Sequence, residues 1–358
     1  MANHFGSRFH VQIFGQSHAP SIGAVIEGLP AGFKPDWEKV HAFMARRAPG
    51  NSAFATPRKE TDLPEVLSGF NELGETCGAP LAIRIANGDT HSGDYSQFRD
   101  IPRPGHADFS ARIKYGPAND FRGGGAFSGR LTAPLCFAGA LAMQLLEKEG
   151  IRIRAHIAAI AHVQDQPMNP LAPEMDSVSG GPLPVLSQDA GKAMEAAILS
   201  AKEKGDSVGG IIECAVTGLP AGLGGPMFDG VENRLAVALF AIPAIRGVEF
   251  GEGFAAASMC GSSHNDDYTF ENGAVKTKTN HHGGILGGIT TGMPLIVRIA
   301  VKPTPSIALQ QQSISFSGNE ETPLTVGGRH DPCIVPRAVP VMEACVACVL
   351  YDLLLSRP

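Results

Sequence analysis

From Phe9 to Phe14 apolar and polar residues alternate, a period of two that predicts a strand with one face turned inward. Ile22 to Leu29 and Leu81 to Ala86 read as two more strands. Between them Trp37, Val40, Phe43 and Met44 recur at helical spacing, which predicts a helix from an N-cap at Asp36 through Arg47, stopped by Pro49-Gly50. His106 to Lys114 predicts a short helix and Ser128 to Gly150 a long one. Its Thr132–Leu146 stretch is apolar throughout most of its length but too short to span a bilayer, so it reads as a buried core helix. Ile151 to Val163 starts β-rich, Gln188 to Lys204 is helical, and Val208 to Gly218 is a strand. Asp229 opens a further helix, Pro294 to Val301 is a strand, and a helix from about Arg337 ends the chain. Residues 164–187, rich in Pro, Ser, Gly and Asp, predict an exposed loop inserted at the surface.

One pattern occurs twice. Gly28-Leu-Pro-Ala-Gly32 ends a predicted strand ahead of an acidic helix start, and Gly218-Leu-Pro-Ala-Gly222 does the same. No linker divides the chain: the echo is either a coincidence of abundant Gly and Pro or the mark of two pseudo-duplicated halves in one α+β domain, residues 1–358.

Composition adds constraints. The 358 residues carry 43 Gly and 27 Pro, hence many turns, and a formal net charge of −6. That overall field does not attract nucleic acid, so any anion site must be a local gathering of Arg and Lys. Seven scattered cysteines and no signal-peptide core in Met1–Gly6 suggest a reducing compartment and a cytoplasmic protein. Cys345 and Cys348 form a C-x-x-C inside an apolar helical run and read as core thiols rather than a redox pair.

Candidate chemistry concentrates between Arg103 and Thr132, where His106, Asp108, Lys114, Asp120, Arg122, Ser128 and Arg130 surround the glycines Gly123-Gly124-Gly125. Polar groups this dense are costly to bury without partners, and glycines followed by a helix start suit an anionic ligand. Three other clusters carry weaker signals: Gly15-Gln-Ser-His18, Arg46-Arg47 with Arg58-Lys59, and the set His281-His282 with its following glycines, Lys302-Pro-Thr-Pro-Ser306 and Gly327-Gly-Arg-His-Asp331. Taken alone, His18 reads as a loop histidine, Arg46-Arg47 as a solvated helix end and Asp331 as an ion-paired turn residue. The glycine-and-lysine turns suit phosphate but lack P-loop spacing, and no His, Cys and carboxylate set has metal-ligand spacing.

In order along the chain, Gly15-Gln-Ser-His, Arg103-Pro-Gly-His-Ala-Asp, Lys114-Tyr-Gly, Asp120-Phe-Arg-Gly-Gly-Gly, Gly247-Val-Glu-Phe-Gly-Glu-Gly-Phe, Gly283-Gly-Ile-Leu-Gly-Gly, Lys302-Pro-Thr and Arg329-His-Asp-Pro-Cys resemble the chorismate synthase family from Phe9 to Asp352. The resemblance implies a β-α-β sandwich assembled as a homotetramer. It also implies loss of phosphate and a ring hydrogen from 5-enolpyruvylshikimate 3-phosphate, with reduced FMN required and NADPH only an indirect source of it. Family roles would fall on His106 as a proton donor at the flavin, His18 at the leaving phosphate, and Asp331 in removing the ring proton, with Ser17 and Ser128 in support. Arg47, Arg103, Arg130 and Arg337 would hold the substrate. Ala126, Phe127, Ser128, Pro243, Ala244, Gly287, Lys302, Pro303, Thr304, Pro305, Ser306 and Arg329 would line FMN, and no metal is implied.

The match departs from the family at Gln16, Ala19, Ala48 and Ala53, and in the turn Gly123-Gly-Gly-Ala-Phe-Ser-Gly-Arg-Leu-Thr132, a version found in part of the family. Ala48, Ala53 and Ala126 remove three expected cations, each a charged hydrogen bond worth about 1.5–3 kcal/mol, for which Arg58 and Lys59 are candidate substitutes. The departures keep a second reading open: a relative that binds flavin or a shikimate-type ligand without turnover. An RNA-binding role for the Arg-Gly-Gly-Gly stretch fails on charge and on the want of an aromatic basic face. No flavin-reductase domain is recognisable, which points to an outside supply of reduced flavin.

Overall fold

A computed structural model describes residues 3–50, 62–88, 92–328 and 330–357. Strands β1 (His4–Phe5), β2 (His10–Gly15), β3 (Ser21–Glu27), β4 (Glu65–Ser68) and β5 (Leu81–Ala86) form one antiparallel sheet, in spatial order β1-β2-β3-β5-β4. Strands β6 (Arg152–Ile160), β7 (Val163–Gln164), β8 (Gly210–Thr217), β9 (Ile245–Phe250) and, after two small hairpins, β14 (Leu295–Val301) form the other, in order β7-β6-β8-β14-β9. The hairpins are β10 (Tyr268–Glu271) with β11 (Ala274–Thr277), β12 (Ile285–Leu286) with β13 (Ile289–Thr290) and, later, β15 (Gln311–Ser315) with β16 (Glu320–Leu324). Sequence periodicity predicts none of the three.

Among the described residues there are seven α-helices, of which the first, third, fifth and seventh pack together between the sheets. The seven are α1 (Trp37–Arg47), α2 (Asp108–Tyr115), α3 (Thr132–Lys148), α4 (Gln188–Glu203), α5 (Val231–Phe240), α6 (Gly261–His264) and α7 (Val335–Leu355). α3 packs on the first sheet, α7 on the second, and the two pack on each other. A Cβ on Gly139 would stand 2.3 Å from Ala344 Cα, so glycine is what lets α3 and α7 approach this closely. The helical stretch Gly129–Lys148, which includes α3, and α7 are each long and apolar enough to cross a membrane, yet most of each is buried inside the protein. The end of α7 is tied to the first sheet by Asp352, whose carboxylate accepts the backbone N–H of Ser7, Arg8 and Phe9.

The duplicated pattern has a topological counterpart. The first half runs β2-β3-α1-β4-β5-α3 and the second, with α4 inserted, runs β6-β8-α5-β9-β14-α7. Matching strands hold matching places in the two sheets, and each Gly-Leu-Pro-Ala-Gly turn follows the middle strand, β3 or β8.

Boundaries follow local chemistry. Asp36 caps α1 by accepting from Lys39 N, as its sequence position predicts. The long helix begins later than Ser128, at Thr132, because a 3-10 turn over Gly129–Leu131 intervenes. Asp229 does not cap α5: it lies in a preceding turn, Gly230 holds the cap position, and Asp229 pairs with Arg234. Residues 164–187 are not simply an exposed insertion. Met168 and Val178 are buried against Ala215 and Ile296, on the face of the second sheet turned away from the helices. Buried His156 secures the segment, with Nδ1 3.2 Å from Asp165 and Nε2 3.1 Å from Glu213.

Candidate active site

Equivalent ends of the two halves meet at one cleft of about 600 Å³. The first half supplies the C-terminus of α1, the 103–107 turn and the glycine turn before α3; the second supplies the C-terminus of α5, the chain after β14 and the start of α7.

The glycine turn has no room for side chains. Gly123 (φ +57°) places its Cβ direction 2.5 Å from His18 Nε2 and 2.6 Å from Ser17 Oγ, while that of Gly124 (φ +94°) points 3.3 Å from His106 Nε2. Both backbones lie in the left-handed region, which glycine enters at little cost. The turn therefore carries Ser17-His18 and His106 as flanking groups. Ser17 N–H donates to Gly125 O at 3.1 Å, and the His18 ring meets Tyr95 edge-on, with centroids 5.0 Å apart. Tyr95 and Gly123 face the cleft, and Ser17 and His18 stand behind them.

His106 is held by a buried carboxylate. Its Nδ1 is 2.6 Å from Asp108 Oδ1, and Arg103 grips the same carboxylate through Nε (2.7 Å) and Nη2 (2.9 Å). Burial alone would push the Asp108 carboxyl up, but hydrogen bonds from Arg103 and His106 outweigh it and hold Asp108 well below the usual carboxylate range. An anionic acceptor at 2.6 Å assigns the proton to Nδ1 and turns Nε2 toward the glycine turn. Arg103 Nη2, 3.2 Å from that nitrogen, then spends its N–H groups on Asp108.

A second carboxylate clamps two more arginines. The two oxygens of buried Asp62 accept from Arg47 Nη1 and Arg130 Nη1 respectively. Burial raises the Asp62 pKa, and the two guanidinium charges more than reverse this, so it titrates below its ordinary value. Arg130 Nε also donates to Asn87 (2.9 Å) and Arg47 Nε to Thr132 Oγ1 (3.1 Å). Arg337 donates to Asp331 at 2.7 Å and to the Arg47 carbonyl at 3.0 Å, drawing the start of α7 against the end of α1. Lys302 Nζ donates to the Gly105 carbonyl and Arg103 Nη1 reaches Ser306 Oγ at 3.4 Å, which clasps the two halves together across the cleft.

Of the residues singled out in the sequence, Arg47, Arg103, His106, Ala126, Phe127, Ser128, Arg130, Pro243, Ala244, Lys302, Thr304, Pro305, Ser306, Asp331 and Arg337 line the cleft. Pro303 lies within the same stretch without facing it. Gly287 is elsewhere: in the β12–β13 turn, its neighbour Gly288 accepts from Val231 N, at the opposite end of α5 from the cleft-lining Phe240. Arg329, Ala53, Arg58 and Lys59 lie outside the described residues. Ala48 closes α1, largely buried. Sequence reasoning gave no role to Asp62, Tyr95 or Arg246, and none to Asp108 beyond membership of its cluster. The Arg-rich segments did carry one usable signal, since buried cations imply a buried acid.

Known proteins resemble this chain along nearly its whole length. The family model described as chorismate synthase matches residues 9–355. The chain is 47% identical to the chorismate synthase of Thermococcus kodakarensis, covering 98% of this chain and 97% of that one. It is 44% identical to that of Lancefieldella parvula, covering 100% and 97%. A solved structure described as a crystal structure of chorismate synthase superposes with a TM-score of 0.76 at 28% identity, over 98% of this chain and 92% of the other. The chain therefore belongs to the chorismate synthase family and is a carbon–oxygen lyase of the shikimate pathway in aromatic amino acid biosynthesis.

Proposed function

We propose that this chain makes chorismate by 1,4-anti-elimination of phosphate from 5-enolpyruvylshikimate 3-phosphate, with reduced FMN bound in the same cleft. One observation carries the reading: five arginines, His106 and Asp331 converge on a cleft built round a glycine turn that excludes side chains. The site suits FMN, offering the Lys302 ammonium and Ser306 hydroxyl for a phosphate and apolar Phe127, Pro243, Ala244 and Pro305 for a ring. When bound, reduced FMN supplies a transient electron that weakens the C–O bond, chemistry that side chains lack.

The protein's own groups do the rest. Arg47 and Arg130, oriented by Asp62, and Arg337, oriented by Asp331, hold the substrate's anionic groups with their remaining N–H donors. Phosphate leaves as a highly charged anion, and these cations relieve that charge; His18, which touches Tyr95 and Gly123 rather than lining the cleft, would support the departing group from behind them. His106, its Nδ1 proton fixed by Asp108, presents Nε2 to the flavin. Asp331 assists removal of the ring proton, and Ser17 and Ser128 support the neighbouring groups by hydrogen bonding.

The two halves share one continuous core, which supports reading the chain as a single domain. Seven unpaired thiols fit a reducing, cytoplasmic setting. Exposed Met227, Phe228 and Val237 around α5 support a homotetramer, in which Gly287 would face a neighbouring copy rather than its own cleft. Reduced flavin comes from an outside source, with NADPH only indirectly involved. Ala126, a neutral cleft residue where the family usually has a cation, favours the second reading, a binder without turnover. Mixing the protein anaerobically with substrate and chemically reduced FMN decides between them. Prompt release of chorismate and phosphate is expected; flavin bound with no turnover would overturn the proposal.

A further inference from the structure

Strand β9 pairs with β14 through a register shift: Gly247 faces Ala300 and Ile245 faces Val301, so Arg246 is the extra, unpaired residue of a β-bulge. Bulges beside active sites re-aim side chains, and here the residue displaced from the ladder lines the cleft. The chain entering the bulge is itself constrained, with Ala244 at φ +75° and its carbonyl accepting from Lys302 N at 3.0 Å. Lys302 follows β14 directly, so the bulge sets Arg246 and Lys302 side by side on the cleft wall.

Among the described residues neither cation has a carboxylate partner. Lys302 Nζ has only the Gly105 carbonyl, and among the described residues the Arg246 side chain has no hydrogen-bond or ion-pair partner. The other cleft arginines differ: Arg47 and Arg130 share Asp62, Arg103 holds Asp108, and Arg337 holds Asp331. Burial, and after it the charge on Arg246, pulls the Lys302 ammonium below its ordinary value, as happens when two cations adjoin without an acid between them.

We infer that Arg246 is a phosphate-binding residue, acting with Lys302 to hold a phosphate monoester dianion. Two adjacent cations without a counter-ion match a doubly charged group, and a guanidinium adds the forked donors that suit phosphate oxygens. The inference rests on the proposed function, which brings two such phosphates to the cleft, one on the flavin and one on the substrate.

The test compares wild type with Arg246→Ala in equilibrium titrations with FMN, with riboflavin, which lacks the phosphate, and with 5-enolpyruvylshikimate 3-phosphate. Flavin fluorescence reads the first two and calorimetry the third. Arg246 is exposed on an edge strand without partners, so the variant should fold. Loss of one charge-assisted contact is expected to weaken one phosphorylated ligand about tenfold or more and leave riboflavin unchanged. Weaker FMN alone assigns the contact to the flavin phosphate, and weaker substrate alone assigns it to the substrate phosphate. Unchanged affinity for both, or equal losses for FMN and riboflavin, overturns the inference while the function stands. A wild-type protein that binds neither ligand overturns both.

Discussion

The two halves repeat one topology, yet they furnish the cleft differently. The first half brings cations already matched to acids: Arg47 and Arg130 on Asp62, Arg103 on Asp108. The second brings one matched arginine, Arg337 on Asp331, and two cations with no carboxylate partner among the described residues, Lys302 and Arg246. A buried guanidinium fixed by a carboxylate has a set direction before any ligand arrives, so it positions a ligand at small cost in ordering. A cation lacking an acid depends on the ligand for its neutralisation and so rewards charge more than shape. A single fold, used twice, thus presents a preorganised wall and a charge-hungry one.

Asp62→Asn breaks the first wall most severely. Asp62 has φ +51°, a backbone region Asn also tolerates, so the change removes charge with little new strain. It leaves two buried arginines uncompensated, for which a loss of about 3–5 kcal/mol is expected, measured as a lower urea midpoint. The pH dependence has a definite sign. Because the folded pKa of Asp62 is depressed, its stabilisation is full above the unfolded value of about 3.9 and is lost as pH falls through the folded value. Wild type should therefore lose stability below about pH 4 more steeply than Asp62→Asn. An unchanged midpoint at neutral pH would show that the arginines are held in place without the acid.

Asp108→Asn sharpens the comparison within the same wall. An amide at this position can offer N–H where His106 Nδ1 needs an acceptor, so the ring's proton assignment is lost along with the Arg103 ion pair. Turnover with reduced FMN is expected to fall about 100-fold, in the lower range for disabling a proton-transfer group. KM should change less than kcat if Asp108 acts through His106. A drop confined to KM would make Asp108 a holder of Arg103 alone.

The sequence exposes features encoded over short spans and hides those made by pairing. Asp36 at a helix start and the glycine turn between His18 and His106 are legible because a few adjacent residues determine them. Asp62 is not, since its partners are 15 and 68 residues away and nothing local marks it among neighbouring charges. Arg246 is hidden for another reason: a bulge is a mismatch between two strands, and neither strand alone reveals it. The 164–187 segment shows the limit of composition, which reports turns but not the Met168 and Val178 side chains that pack beneath them. The repeated Gly-Leu-Pro-Ala-Gly pattern succeeded because the turn must leave a middle strand at the same place in both halves.

The smallest effect tests the frame on which both walls stand. Cys77 in the first half and Cys260 in the second are exposed, while Cys136, Cys214, Cys333, Cys345 and Cys348 are buried. Burial pushes the Cys136, Cys333 and Cys345 thiols up to about 12, so at neutral pH they remain protonated as well as shielded. Cys136 on α3 and Cys345 and Cys348 on α7 lie in the shared core between the sheets. A thiol reagent at pH 8 should therefore modify two cysteines quickly and five only on unfolding, with little effect on turnover. Early reaction at Cys345 or Cys348 would mean that α7 separates from α3 in the native state. Arg337 on α7 would then move away from the Arg47 carbonyl at the end of α1, and the two walls would no longer be held at a fixed separation.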